Sequence, residues 1–154
     1  MTNGTTQQLK EPVLRAMFVP ALVGSVLLQA INNPNYSLEY GGTGVVGTTN
    51  VAIVKISSQA TRSDSFVTPQ TWYFDASTGL PLRIDYRLPG ERDFRGFLPA
   101  TLDLSSYSAV AGVLYPFQSV ATIAGRRTIS TTVASITVNP AIHSSTFDAA
   151  GGAQ

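Results

Sequence analysis

Thr71-Trp72-Tyr73-Phe74-Asp75 runs into Ala76-Ser77-Thr78-Gly79, and the chain resumes as Leu80-Pro81-Leu82-Arg83-Ile84-Asp85-Tyr86-Arg87-Leu88. In the second half Leu82, Ile84, Tyr86 and Leu88 alternate with Arg83, Asp85 and Arg87. That period of two belongs to a strand with one buried and one wet face. In the first half Trp72 and Phe74 share a face and Tyr73 takes the other. Between them Asp75 to Gly79 supplies a tight connection, with Gly79 free to take positive φ. The stretch predicts two antiparallel strands, and with them an antiparallel sheet.

The same signature recurs on both sides. Val51 to Ile56, Ala100 to Tyr107, Val113 to Phe117, Val120 to Ala124 and Thr128 to Val138 read as further strands. Short runs of Val, Ile, Thr, Tyr and Phe separated by Gly, Pro, Ser and Asp are the pattern of hairpins. Ala111-Gly112 and Gly125-Arg126 are the natural turns between the later ones. Upstream lies an apolar block, Val13 to Ile31, closed by Asn32-Asn33-Pro34, a strong stop signal. Pro20 would clash with the carbonyl of Ala16 in a continuous helix. The block therefore predicts a short turn from Pro12 to Phe18 and a helix from Pro20 to Ile31, each proline serving as a first-turn residue. Glu11, Arg15, Ser25 and Gln29 fall on one narrow face, so the remaining circumference needs cover on most sides.

The expected fold is mainly β with one or two helices (α+β). It is an antiparallel meander of about seven strands, an incomplete half-barrel packed against a helix. One domain spans 1–154, with a helical segment at 13–31, the sheet at 36–139 and a frayed tail at 149–154.

Composition narrows the function. The chain has 154 residues, ten Lys plus Arg against nine acidic groups, one His and no Cys, for a formal charge of +1. Such a balance gives no electrostatic footprint for nucleic acid. Without Cys there is no thiolate catalysis, disulfide or Cys-ligated zinc. Hydrophobic residues make up 44% and charged residues 12%, which argues against disorder. A transmembrane helix needs about 20 apolar residues, and the uncharged run from Ala16 to Leu28 falls short. A secretory signal fits poorly as well, with Leu28 where a small residue is wanted before cleavage at Ala30 and Pro20 within the apolar core.

Gly42-Thr43-Gly44-Val45-Val46-Gly47 matches G-x-G-x-x-G, with Asp64 about 20 residues on. A dinucleotide site requires that motif to open a helix. Here it leads into β-branched Thr48-Thr49-Asn50-Val51-Ala52-Ile53-Val54, so a glycine-rich hairpin is expected. His143 is the only imidazole and sits in a polar stretch beside Ser144, Ser145 and Thr146. With no G-x-S-x-G elbow and one His among scattered acids, neither a nucleophilic triad nor a metal site is indicated. Arg83, Arg87, Arg92 and Arg95 are interleaved with Asp85, Glu91 and Asp93, the pattern of a solvated hairpin. No catalytic, cofactor-binding or metal-binding residue is assigned.

Trp72-Tyr73-Phe74-Asp75 with Thr78-Gly79-Leu80-Pro81-Leu82-Arg83 resembles the aromatic strand, turn and returning strand of LolA-like outer-membrane lipoprotein-sorting proteins. Tyr107 to Phe117 is similar to their hairpin of Tyr, then Gly, then Pro-Phe. A closing strand with Thr131 to Val138, Asn139-Pro140 and Phe147 is similar again, as is the helix after Phe18 and Pro20-Ala21-Leu22. The resemblance covers most of Phe18 to Phe147 and implies a half-barrel whose apolar face is covered by helices. It further implies carriage of lipid or the acyl group of an acylated protein, without catalysis, in the periplasm or cell envelope. Family domains carry strands ahead of the helix, where this sequence has Met1 to Pro12. The chain is accordingly expected to be the later part of such a domain, lacking the usual N-terminal strands.

The residues expected to form the apolar ligand face are Phe18, Leu22, Trp72, Phe74, Leu82, Ile84, Tyr86, Tyr115 and Phe117. The same side chains serve equally as core, since cavity and core draw on one set of residues. The leading expectation is a non-catalytic carrier of a hydrophobic ligand. The alternative is a structural or interaction protein with a filled core. Self-association is expected through an open sheet edge near Tyr36 to Gly41 or Val51 to Ile56.

Overall fold

Seven antiparallel strands lie side by side in the order in which the chain makes them. They are β1 (Tyr36–Val46), β2 (Thr49–Ser58), β3 (Gln70–Asp75), β4 (Pro81–Pro89), β5 (Phe97–Val110), β6 (Val113–Ile123) and β7 (Arg127–Thr132). The computed structural model describes residues 25–58, 69–89 and 97–140. Ahead of β1, residues 25–32 form a helix, α1. The sheet does not close: β1 and β7 are its two edges. The expected architecture, mainly β with a meander of about seven strands and a helix, is what the described residues adopt: seven strands in an unclosed sheet with one helix.

Turn chemistry fixes the meander locally. β5 and β6 are joined at Val110↔Val113 through Ala111 and Gly112, with φ of 49° and 81°. Two consecutive positive φ values define the type I′ hairpin turn, whose twist matches that of the strands. Ala124 and Gly125 repeat the device, and Arg126 N donates to Ile123 O at 3.1 Å. Between β3 and β4, Asp75 Oδ1 accepts from Ser77 N at 2.7 Å, Ser77 Oγ at 2.6 Å and Thr78 N at 3.2 Å. These bonds to the charged form hold the Asp75 carboxyl below its ordinary pKa. Gly79, at φ 71°, then returns the chain.

The glycine-rich stretch is strand for most of its length. Gly42 to Val46 pair with β2, and the hairpin turn begins only at Gly47, with Val46 opposite Thr49. A bulge between Tyr40 and Gly42 interrupts the pairing, and Gly42 stands at φ 92°. Two expected strands, Val113 to Phe117 and Val120 to Ala124, are one continuous β6. Pro116 does not break it because it lies past the last β7 pair, Gln118↔Thr132, where β6 has a ladder partner on one side only. The closing strand ends at Thr132 rather than Val138. Of the two candidate edges, β1 is one; Val51 to Ile56 is interior, paired with β1 and β3.

The core lies between α1 and the central strands. Val26 and Ala30 pack with Ile56, Trp72, Ile84, Tyr86, Leu88 and Ala100. Leu27, Tyr36, Val54, Phe74, Leu102, Leu104 and Ile123 are partly buried against that cluster. The expectation that the helix would be covered on most sides is corrected here: Leu28 is 66% and Ile31 61% exposed. Val26 and Ala30, one helical turn apart, are buried on the sheet and Leu27 is partly buried beside them, while Leu28 and Ile31 stay exposed.

Candidate ligand-binding face

Register brings one row of side chains across the whole sheet. Tyr40, Val54, Trp72, Ile84, Leu102, Ala121 and Ile129 are successive cross-strand partners from β1 to β7. The row lies on the helix side and is apolar from edge to edge. Its middle is closed, with Trp72 3% and Ile84 1% exposed, whereas its ends are open, with Tyr40 66% and Ile129 44% exposed. Leu38 and Val45 extend the open flank on β1, and Val113 and Tyr115 extend it on β6.

The structure brings together Trp72, Ile84 and Tyr86 in the buried cluster. Phe74 is half-buried and stacks on Trp72, ring centroids 5.9 Å apart and planes 15° apart. Leu82 is half-buried where the β3–β4 register shifts. Tyr115 and Phe117 stand away from this group, on the part of β6 beyond β7; Tyr115 is exposed and Phe117 half-buried. Phe18, Leu22 and His143 lie outside the described residues. Sequence reasoning missed Val54, Leu102 and Ile123, although the alternation of β2, β5 and β6 carries them on the same face.

It also missed Gln70, a polar side chain 1% exposed at the start of β3. Trp72 Nε1 donates to Gln70 Oε1 at 2.7 Å, while Gln70 Nε2 and Tyr86 Oη are buried without a hydrogen-bond partner. Burial pushes the Tyr86 phenol above its ordinary pKa. These are the polar groups at the centre of an otherwise apolar face.

On β3 to β5 the opposite face is polar. Tyr73 Oη donates to Asp85 Oδ2 at 2.8 Å, and Arg83 Nε donates to Asp103 Oδ1 at 2.6 Å. Burial, then the hydrogen bond to Asp85, raises the Tyr73 pKa; the bond to Asp103 raises that of Arg83. Thr71, Asp85, Thr101 and Thr122 form a row of cross-strand partners on β3 to β6. They floor a cleft of about 410 Å³ together with Arg87, Pro69 and Pro99. Among the described residues no three His, Asp or Glu side chains gather as a metal site would require. No helix among them is long and apolar enough to cross a membrane.

Tyr107 ties β5 to the β3–β4 turn by donating from Oη to Pro81 O at 2.5 Å, and burial pushes its pKa up to about 12. A phenol whose folded pKa exceeds its unfolded value of about 10 contributes stability that is complete below that value. The contribution disappears as pH rises from the unfolded value through the folded one. Urea midpoints measured between about pH 9 and pH 12 are therefore expected to fall on the alkaline side, and to fall less steeply in Tyr107→Phe. Equal slopes for both proteins would show that Tyr107 ionises as freely folded as unfolded.

No protein-family model matches the chain, and no curated protein matches it. Among solved structures, the crystal structure of a LolA superfamily protein from Nitrosomonas europaea matches with a TM-score of 0.47 and 9% identity. The match covers 68% of this chain and 48% of that one, so the chain spans about half the length of that protein.

Proposed function

We propose that the protein is a non-catalytic binding or carrier module for a hydrophobic ligand, a lipid or a protein-borne acyl group, in the cell envelope. One observation carries the reading. The apolar row of the sheet runs from edge to edge, yet α1 covers only its centre, leaving Leu38, Tyr40 and Val45 open on one flank and Val113, Tyr115 and Ile129 on the other. Exposed apolar side chains gathered on a sheet flank, as Leu38, Tyr40 and Val45 are on β1, mark a binding surface. Each methylene that a ligand buries there contributes about 0.8 kcal/mol. The motif resemblance to lipoprotein-sorting proteins supports an acyl ligand and an envelope or periplasmic location.

An environment-sensitive apolar probe, titrated with Trp72 fluorescence as a second signal, tests the reading. Tyr115→Ser and Ile129→Ser are expected to weaken probe binding at least fivefold while leaving the urea midpoint near that of the wild type. Native mass spectra of gently purified protein are expected to show bound acyl lipid. Probe affinity indifferent to both flank substitutions would refute the proposal.

The second reading, an interaction protein with a filled core, is favoured by Val26 and Ala30, which occupy the centre of the face, and by β7. That edge strand is exposed at all six of its residues, and an unguarded edge invites another strand. Light scattering across a concentration range, showing a dimer with no probe binding, would select it.

A further inference from the structure

We propose that the cleft on the face of β3 to β6 opposite α1 is a second, separate binding site, one that takes a neutral polyhydroxylated ligand of mono- or disaccharide size. Its volume of about 410 Å³ falls within the roughly 300–1,000 Å³ of small-molecule sites. Thr71, Asp85, Thr101 and Thr122 lie in one row on four adjacent strands. Arg87, paired with Pro99, lies in the next row and is exposed over the cleft.

The charges on this face are sorted. Arg83 and Asp103 satisfy each other. Tyr73 anchors Asp85 through Oδ2, but Asp85 Oδ1 is out of solvent and accepts no hydrogen bond. Leaving such a group unpaired costs about 1–3 kcal/mol or more. A small turn of the carboxylate toward an incoming hydroxyl removes that cost. Arg87 makes no ion pair among the described residues and offers donors in a fixed fork.

The combination selects by class. A simple anion meets the Asp85 carboxylate, and a simple cation meets the Arg87 guanidinium. A ligand without net charge suits both. The three threonine hydroxyls decide between a zwitterion and a polyol. They are neutral, they donate as well as accept, and together with Asp85 they make a row at the strand spacing of about 4.8 Å. A zwitterion satisfies the two charges and leaves the threonines without partners. Ring hydroxyls, which also donate and accept, engage the whole row.

Ligand-observed NMR with D-glucose, maltose, glycine betaine and inorganic phosphate tests the site. The two sugars are expected to bind at millimolar concentration, betaine and phosphate at least tenfold more weakly. Asp85→Asn keeps an acceptor for Tyr73 and is expected to weaken sugar binding at least tenfold. Thr101→Val, which preserves shape, is expected to weaken it threefold or more with little change in melting temperature. Apolar-probe binding, on the other face, stays as in the wild type in both variants, so this proposal and the preceding one fail separately. No sugar binding up to tens of millimolar, binding unchanged in both variants, or preference for betaine would each overturn it.

Discussion

Trp72→Ala is expected to lower the stability of the protein by about 3–5 kcal/mol, the usual cost of truncating a buried large aromatic side chain. Trp72 sits in the middle of the apolar row, between Val54 and Ile84, and is 3% exposed. Its removal opens a cavity beneath α1 and takes the stacking partner from Phe74. It also strips Gln70 Oε1 of its donor, leaving both ends of a buried amide unpaired. Trp72→Phe separates these effects. It keeps a ring and loses the hydrogen bond, for an expected cost nearer 1–2 kcal/mol plus the smaller volume. Urea unfolding followed by circular dichroism measures both. A loss below about 1 kcal/mol in Trp72→Ala would mean that the centre of the face is loosely packed, contrary to its burial.

The second large effect is expected at the β1 bulge. A Cβ placed on Gly41 would stand 2.9 Å from Ile53 Cγ2 and 3.3 Å from Lys55 Cε. The first contact is closer than real Cβ atoms come, and the atom it meets belongs to a stiff β-branched side chain. Gly41→Ala is therefore expected to destabilise by about 1–3 kcal/mol, the range for overpacking. The double variant Gly41→Ala with Ile53→Ala is expected to be more stable than the sum of the two single losses predicts, because the clash that makes Gly41→Ala costly is absent from it. A double-mutant cycle reads that coupling directly. Strictly additive losses would show that the strand shifts to relieve the contact, and that the glycine is there for the bulge alone.

Much of the sheet was legible because its signals are local. The alternation of Leu82, Ile84, Tyr86 and Leu88, the Asp75 to Gly79 connection and the Ala111-Gly112 turn each depend on a few adjacent residues. The continuity of β6 was not legible, since Pro116 is tolerated only for lack of a neighbour on one side, a fact about β7. Nor was the partial cover of α1. An apolar circumference predicts cover, but the extent of cover depends on the sheet beneath. The ligand face divides in the same way. Trp72, Ile84 and Tyr86 were found by alternation, while the edge-to-edge row required the register of every strand pair. Gln70 gave no signal, because a polar residue at a strand start is ordinarily solvated. The cleft is the extreme case: four strands contribute one side chain each to its row, and no stretch of sequence contains the pattern.

The strictly sequential order of the strands also governs how the sheet is assembled. Every ladder joins a strand to the one that immediately precedes or follows it, so contact order is low for a protein built mainly from strands. Loop-closure entropy is paid in small instalments rather than across the length of the chain. Proteins with local pairings fold faster than those whose strands await distant partners. A ribosome releasing this chain from its N-terminus delivers each strand directly after its neighbour, and the growing sheet has at every stage a fresh edge to receive the next.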